Sequence, residues 1–270
     1  MPTLGSGDIA APRVNGEYIG LDLLRGRDLS LVLDIGPPFG SFGTLAGAQA
    51  ALRSALSPTG STENPLFFQL SPSSPMLVSM VRPRKRDGSV DMAYALGNLA
   101  QKIPLQFHAT DPILYGAGTQ SQTVGVPAPL GGFSFPLTFP LPFGGGSNQG
   151  IITATNSGDV AVYPIVTFTG PCTYPSIANN SATNSPYVRY ATTMNAGDTL
   201  VVNFDPKYPS ALYYTAGSNL GVAYQYAMTQ GSSWWAIAPG TNSLGFTTLD
   251  LTTVAGTCNV QWASAYSAAS

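Results

Sequence analysis

Residues 27–35, RDLSLVLDI, set the class of fold for the first part of this chain. A large aliphatic residue stands at every second position, at Leu29, Leu31, Leu33 and Ile35, and most positions between them are polar. This alternation, with a period of two, is typical of a strand that turns one face to a core. We therefore predict a half-buried strand within a β-sheet.

The segment that follows this strand predicts the one helix of the chain. Residues 44–56, TLAGAQAALRSAL, consist mostly of good helix formers. The apolar stripe at helical spacing contains Leu45, Ala48, Leu52 and Leu56. Pro58 and Gly60 end the helix. Three more strands are predicted after it, at residues 65–70, 76–82 and 102–109.

Proline and glycine cluster between residues 112 and 150, which indicates a domain boundary. We predict a first domain at 1–117, a connector at 118–147 and a second domain at 148–270. Within the connector, residues 133–143 read FSFPLTFPLPF. Proline cannot donate to a sheet ladder, so this segment is interpreted as an extended strap between the domains. The side chains expected to press onto a flanking domain are Phe133, Phe135, Leu137, Phe139, Leu141 and Phe143.

The second domain has a purely β pattern. In four groups, large side chains are separated by even numbers of residues, as on one face of a strand. The groups are Val160, Val162, Val166 and Phe168; Leu200, Val202 and Phe204; Val222, Tyr224 and Tyr226; and Cys258, Val260 and Trp262. Turn signals such as Asn156-Ser157-Gly158 and Ala196-Gly197-Asp198 separate these groups. Many short alternating strands with this spacing predict an antiparallel sandwich or jelly roll.

The overall composition excludes several classes of protein. A chain of 270 residues can build one large or two ordinary domains, and its 28 aromatic residues argue against disorder. Charged residues make up 9%, against roughly 25% in typical domains. No run approaches the ~20 apolar residues of a membrane span, and the start MPTLGSGDIAAPRV lacks the pattern of a signal peptide. The net charge of -2 gives no overall basic field for nucleic acid.

The two cysteines, Cys172 and Cys258, fit no metal-ligand spacing. They form either a disulfide or two free, buried thiols. The thiols are favoured because nothing in the sequence indicates secretion.

Catalytic chemistry has little support in this sequence. His108 is the only histidine, and its acidic neighbour along the chain is Asp111. A Ser-His-Asp triad needs the fold to bring three residues together, and no Gly-x-Ser-x-Gly elbow occurs. We therefore expect His108 to be a hydrogen-bonded histidine at a strand end. A pair of glycosidase carboxylates stays open, but acids are sparse in the second domain. We predict no enzyme, no catalytic or metal-binding residue and no cofactor.

The strongest charge cluster consists of Arg82, Arg84, Lys85 and Arg86. It precedes Asp87-Gly88, a turn signal, which predicts the tip of a hairpin or loop. The cluster could touch nucleic acid phosphates. A solvated tip or a contact with an acidic neighbouring subunit is favoured.

Trp234 and Trp235 form the other notable pair. Adjacent residues of a strand point to opposite faces, so we expect one indole in the core and the other exposed. An exposed indole could stack on a sugar or anchor a protein interface. Both tryptophans are candidate glycan or partner contacts.

Several segments carry a family pattern in chain order: residues 26–31 (GRDLSL), 44–56, 65–68 (PLFF), 106–115 (QFHATDPILY), 133–143, 196–202 (AGDTLVV) and 235–242 (WAIAPGTN). Together they resemble the distal tail proteins of siphophages, the long-tailed non-contractile phages, especially those of actinobacterial hosts. The Asp-Pro-x-x-Tyr pattern of 106–115 and the Phe-Pro repeats of the connector are the most specific of them.

This resemblance implies an architecture. The first domain would be a tail-tube-like β-sandwich with one flanking helix, and the second a galectin-like jelly roll. Six copies would form a ring at the lower end of the tail tube, with the basic residues 82–86 as candidate ring contacts. The ring would join the tube to baseplate and tail-fibre proteins, and genome DNA would pass through it without specific binding.

The resemblance also implies partners and a location. The partners would be further copies of the chain, the tail tube protein, a tail-associated hub or lysin protein and receptor-binding proteins, with no membrane. The protein would be assembled in the host cytoplasm and reside at the virion tail tip. The alternative function is a carbohydrate- or receptor-binding module that acts through the second domain.

Overall fold

The computed structural model describes residues 2, 4–10, 15, 17–37, 40–57, 60–86, 101–126, 149–249 and 255–268. The chain divides into two compact units, one of Met1–Ala117 with Ser267–Ser270 and one of Gly118–Tyr266. The predicted strap, residues 133–143, lies outside the described residues. Within the described parts, no helix has the length and apolar character needed to cross a membrane.

The first unit combines strands with one helix. Its elements are β1 (Leu4–Gly5), β2 (Ile9–Ala10), β3 (Glu17–Tyr18), β4 (Leu23–Leu24), β5 (Arg27–Ile35), a 3-10 turn (Gly40–Phe42), α1 (Leu45–Ala55), β6 (Asn64–Phe68), β7 (Leu77–Arg86), β8 (Gln101–Ala109) and β9 (Leu114–Gly116). The strands and the helix predicted for this part from alternation and from helical spacing are therefore present, with small shifts at their ends.

Strand β7 organises the sheets of this unit. Its first half pairs with β6 and β9, and its second half pairs with β8 across a register shift between Pro83 and Lys85. Strand β8 then pairs antiparallel with β5 over their full length, from Arg27 opposite Ala109 to Ile35 opposite Gln101. The short strands form two separate hairpin pairs, β1 with β4 and β2 with β3.

Helix α1 covers the apolar side of this sheet. Its N-cap is Thr44, whose hydroxyl oxygen accepts from the Gly47 N–H at 3.1 Å and so satisfies one of the free donors of the first turn. Leu52 and Leu56 pack against a buried cluster on β7 and β8, formed by Val81, Ile103, Leu105, Phe107 and Ala109. The apolar stripe predicted from the sequence is thus the face that builds the core.

The second unit is built from short strands. They are β10 (Gln120–Gly125), β11 (Gly150–Asn156), β12 (Ile165–Thr169), β13 (Cys172–Thr173), β14 (Ser176–Asn179), β15 (Tyr187–Arg189), β16 (Thr193–Met194), β17 (Thr199–Asn203), β18 (Ser210–Tyr214), β19 (Val222–Ala223), β20 (Gly240–Thr247), β21 (Thr257–Trp262) and β22 (Ala265–Tyr266), with a 3-10 turn at Gln225–Ala227.

Two antiparallel sheets of this unit form a sandwich. One has the order β10-β21-β12-β17-β18-β19 and the other the order β11-β20-β14-β15. The ring of Phe168 in the first sheet lies 5.8 Å from the ring of Phe246 in the second, centroid to centroid. The indole N–H of Trp262 donates across the core to the Thr155 carbonyl at 2.9 Å. The mainly β prediction is confirmed, whereas the galectin-like detail stays a prediction.

Two segments differ from what the sequence predicted. Strand β10 lay in the predicted connector, but it pairs residue by residue with β21 and so extends the six-stranded sheet. The alternating group at 222–226 was expected to form a half-buried strand. Strand β19 instead ends at Ala223, and Val222 is 61% exposed because this strand pairs only with β18 at the edge of its sheet.

Candidate interaction surfaces

His108 lies on β8 directly opposite Asp28 of β5. The distance from His108 Nδ1 to Asp28 Oδ1 is 2.7 Å. Asp111 has other partners, because its carboxylate accepts from the Ile113 N–H at 3.0 Å and from the Tyr115 hydroxyl at 2.9 Å. The expectation of a hydrogen-bonded histidine at a strand end is confirmed, with Asp28 rather than Asp111 as its partner.

Both cysteines are buried free thiols, as the sequence favoured. Burial raises the pKa of the Cys258 thiol, and the neighbouring Cys172 adds to this rise. Cys172 Sγ donates to Met194 Sδ at 3.8 Å. The Cys258 thiol therefore stays protonated, and both cysteines serve as small apolar core side chains.

The basic cluster lies within strand β7, at the end that precedes the antiparallel partner β8, so it belongs to a strand of a hairpin rather than to a loop. Strand β7 continues through Arg82, Arg84 and Lys85 and ends at Arg86. The register shift after Pro83 lets the strand continue, because a proline is tolerated at an irregularity of the ladder.

The members of the cluster differ in their surroundings. Arg82 Nε lies 3.8 Å from Glu63 Oε1 within the same unit. The side chains of Arg84 and Lys85 are exposed, whereas that of Arg86 lies outside the described part. Arg84 and Lys85 are therefore the two members placed to reach a neighbouring molecule.

The two tryptophans lie in an irregular segment rather than in a strand. Both contact Phe204, with ring centroids 5.2 Å away for Trp234 and 4.7 Å away for Trp235. Trp235 is only 4% exposed and belongs to the core. This burial removes Trp235 as a surface contact, while the half-buried Trp234 remains a candidate.

A hydrogen-bonded carboxylate holds the turn before β17. Asp198 is 3% exposed and accepts from the Tyr213 hydroxyl at 2.6 Å, the Asn195 N–H at 2.8 Å and the Ala216 N–H at 2.9 Å. The hydrogen bond from Tyr213 lowers the pKa of the Asp198 carboxyl, burial opposes this, and the backbone donors add to the lowering. The sequence marked Asp198 only as part of a turn signal, because its partner Tyr213 lies on another strand.

Three tyrosines form a continuous row that starts at this carboxylate. The ring centroids of Tyr213 and Tyr224 are 4.9 Å apart, and those of Tyr224 and Tyr226 are 5.2 Å apart. The Tyr224 hydroxyl donates to Thr192 Oγ1 at 2.9 Å. Tyr226, at the outer end, is 80% exposed. This tyrosine row (Tyr213, Tyr224 and Tyr226) was not singled out as a site from the sequence, which gave only the shared parity of 222, 224 and 226.

Comparison with known proteins relates the chain to phage tails. Residues 157–266 match the family model described as siphovirus-type tail component, C-terminal domain. The crystal structure of the SPP1 Dit (gp 19.1) protein, described as a paradigm of the hub adsorption apparatus in phages that infect Gram-positive bacteria, is similar with a TM-score of 0.58. That match has 16% identity and covers 98% of this chain and 89% of the other.

A chain of the phage P2 baseplate, in its activated conformation with calcium, also matches, with 8% identity, 96% and 86% coverage and a TM-score of 0.45. A search of curated proteins returns no match. The match to the family model is thus the evidence for a relationship to phage tail proteins, and the likeness to SPP1 Dit shows a similar fold. Residues 157–266 match the C-terminal domain of siphovirus-type tail components, the class of phage protein that the sequence segments also resemble.

Proposed function

We propose that six copies of this chain form a closed ring at the lower end of the tail tube. The ring joins the tube to baseplate and tail-fibre proteins and acts by its shape rather than by catalysis. The family match over residues 157–266 carries this proposal, because that family consists of siphovirus tail components. The fold shared with SPP1 Dit, itself described as a hub, supports it.

An open sheet edge in the first unit supports assembly with other copies. Strand β5 pairs with β8 on one side, and no described strand pairs with its other side. Val32 on this strand is 65% exposed. A long strand edge with apolar side chains tends to pair with another chain unless it is covered. In a ring of identical copies, each neighbour can cover the edge of the next.

Exposed apolar side chains in the N-terminal segment are a second reason to expect assembly with other copies. Ile9, Tyr18, Ile19, Leu21 and Leu23 are all exposed, and Ile19 is 97% exposed. Isolated exposed apolar residues are normal, but such a concentration in one short segment marks a contact surface. These side chains would be buried between copies or against the tail tube protein.

Charge complements these apolar surfaces. Arg84 and Lys85 are exposed on β7, and Glu17, Asp22 and Asp34 are exposed carboxylates of the same unit. A contact between copies can therefore pair opposite charges, which fixes the register of the ring more than its affinity. Arg84 and Lys85 are thus proposed as ring contacts.

The other partners follow from this placement in the tail. The tail tube protein would bind above the ring, and a tail-associated hub or lysin protein below it. Receptor-binding proteins would attach around it, and genome DNA would pass through the channel without specific binding. No membrane contact and no catalytic step is part of this proposal.

The edge of β5 provides the test of ring assembly. In Val32→Asp, a carboxylate replaces an exposed apolar side chain on the edge strand, and we expect the ring to dissociate to monomers in mass photometry. Leu70→Asp is the matched control, because Leu70 is 61% exposed in the same unit but lies outside the strands. Rings that survive Val32→Asp, or that Leu70→Asp disrupts equally, would show that β5 is not the contact.

A second role is proposed for the second unit, namely contact with a carbohydrate or protein receptor on the host. Its support is the exposed aromatic side chain Tyr226 beside the exposed Leu220 and Val222, together with the half-buried Trp234. Binding of the purified chain to intact host cells tests this role, and absence of binding by the assembled ring would contradict it.

A further inference from the structure

We propose that the tyrosine row is a binding site for a neutral oligosaccharide. This inference rests on the second role proposed above and names the surface and the class of ligand for it. It does not depend on the ring, because every residue involved belongs to the second unit.

The first argument is an apolar surface left exposed at the end of a sheet. Val222 lies on strand β19, Leu220 precedes this strand, and Tyr224 and Tyr226 lie at and within the 3-10 turn that follows it. In the structure Leu220, Val222 and Tyr226 are exposed, and Tyr224 is half-buried. Val222 is paired directly with Tyr213, so it lies on the same face as the inner end of the row. A surface with the composition of a core, left open at a sheet edge, indicates a ligand or partner that covers it.

The second argument is that the row is held in place before any ligand binds. The Tyr213 hydroxyl is fixed by the buried Asp198 carboxylate, and the Tyr224 hydroxyl by the buried Thr192. The backbone supports the turn as well, because the Tyr224 N–H donates to the Ala211 carbonyl at 2.8 Å. The amide of Gln225 donates to the Pro209 carbonyl at 2.9 Å. Aromatic rings fixed in this way lose little conformational freedom on binding.

The chemistry of the row favours a neutral polyol. Its exposed member is Tyr226, whose ring and phenol hydroxyl together offer an apolar surface and hydrogen bonds. The charged group that contacts the row is Asp198, and its carboxylate is already occupied by three donors. A phosphate or another anion would find no cation among these contacts. A sugar ring has apolar C–H faces and hydroxyl edges, which match such a surface.

The size of the row favours a small ligand over a protein. The separations of 4.9 Å and 5.2 Å between neighbouring ring centroids limit the row to the length of a short oligosaccharide. A stable protein interface buries about 800 Å² on each partner and involves roughly 20 to 30 residues a side. The surface argued here comprises the three tyrosines of the row with Leu220 and Val222, and β19 extends for only two residues.

The experiment uses the full chain on an array of neutral, uronate-bearing and phosphate-bearing oligosaccharides. We expect binding to neutral members, and Tyr226→Ala should weaken it on the order of tenfold, as truncation of an aromatic anchor does. Tyr226→Phe keeps the ring and should retain binding. Tyr163→Ala, at an exposed tyrosine outside the row, is the matched control and should leave binding unchanged.

Each outcome decides the proposal. Binding to no oligosaccharide, binding to anionic ones alone, or neutral binding that Tyr226→Ala leaves intact would overturn it. Host-cell binding that persists in Tyr226→Ala would leave the receptor role standing and reject this surface. Host-cell binding without glycan binding, lost in both Leu220→Ser and Tyr226→Ala, would assign the surface to a protein receptor. If the chain forms no ring but still binds the glycan, only the proposed ring-forming role would be rejected.

Discussion

At the residue scale, burial separates two adjacent tryptophans, of which the sequence predicted one in the core and one at the surface. Trp235 is in the core against Phe204, whereas Trp234 is half-buried. We expect Trp235→Ala to lower the free energy of unfolding by about 3–5 kcal/mol, because it leaves a large cavity. Trp234→Ala should cost clearly less. Chemical denaturation of the full chain, followed by circular dichroism, measures both, and equal losses would contradict the assignment of Trp235 to the core.

The Asp198 carboxylate makes stability depend on pH. Its pKa is lowered in the folded protein, so its contribution is present above the ordinary aspartate pKa of ~3.9. That contribution is lost as the pH falls through the lowered value. At pH 7 we expect Asp198→Asn to destabilise the second unit by about 2 kcal/mol, because a buried charged acceptor loses its strength.

The same pH dependence supplies the control for this substitution. The difference between Asp198→Asn and the unaltered chain should begin to shrink as the pH drops below about 4, where the carboxyl of the unfolded chain takes up a proton, and should vanish only below the lowered pKa of the folded protein. Asp205→Asn is the matched control, since Asp205 accepts one backbone N–H, that of Lys207 at 2.8 Å, and should cost less. A difference in stability that does not change with pH would contradict the proposed role of the charge.

At the scale of elements, the spacing of apolar residues predicted the strands and the helix whose formation depends mainly on local sequence. The alternation at 27–35 and the helical stripe at 44–56 each bury an apolar face, and both elements form where expected. The group at 222–226 has the same alternation but lies at a sheet edge, and strand order is not encoded in the local pattern. The basic run at 82–86 was assigned to the tip of a hairpin or loop because of the turn signal after it, and strand β7 extends through it across a register shift.

The candidate surfaces were less predictable than the elements. The pairing of His108 with Asp28 and of Asp198 with Tyr213 depends on residues from separate strands. A single sequence gives no register between such strands, so their partners could not be assigned. One tryptophan lies in the core as predicted, but the pair lies in an irregular segment, so the alternation of a strand is not the cause.

The start of α1 provides a test at this scale. Thr44→Ala removes the side-chain acceptor of the Gly47 N–H, and we expect a loss of about 1 kcal/mol in the free energy of unfolding. Ser54→Ala changes an exposed residue of the same helix and should have little effect. Thermal denaturation of the two variants compares them, and equal changes would contradict the capping role of Thr44.

At the scale of the whole molecule, the proposed ring should respond to charge. Arg84→Glu combined with Lys85→Glu reverses two exposed charges on β7 and should shift the ring towards monomers at low salt. The effect should weaken at high salt, because ions screen exposed charges. Mass photometry over a range of salt concentrations measures this shift. Rings that remain equally stable in this variant would remove the basic residues from the interface.

The central claim, a closed ring of this chain at the end of the tail, is tested most directly by cryo-electron microscopy of purified phage tails. The account predicts six copies around a central channel directly below the last ring of the tail tube. A single copy, an open arrangement, or density for this chain away from the tube end would contradict it.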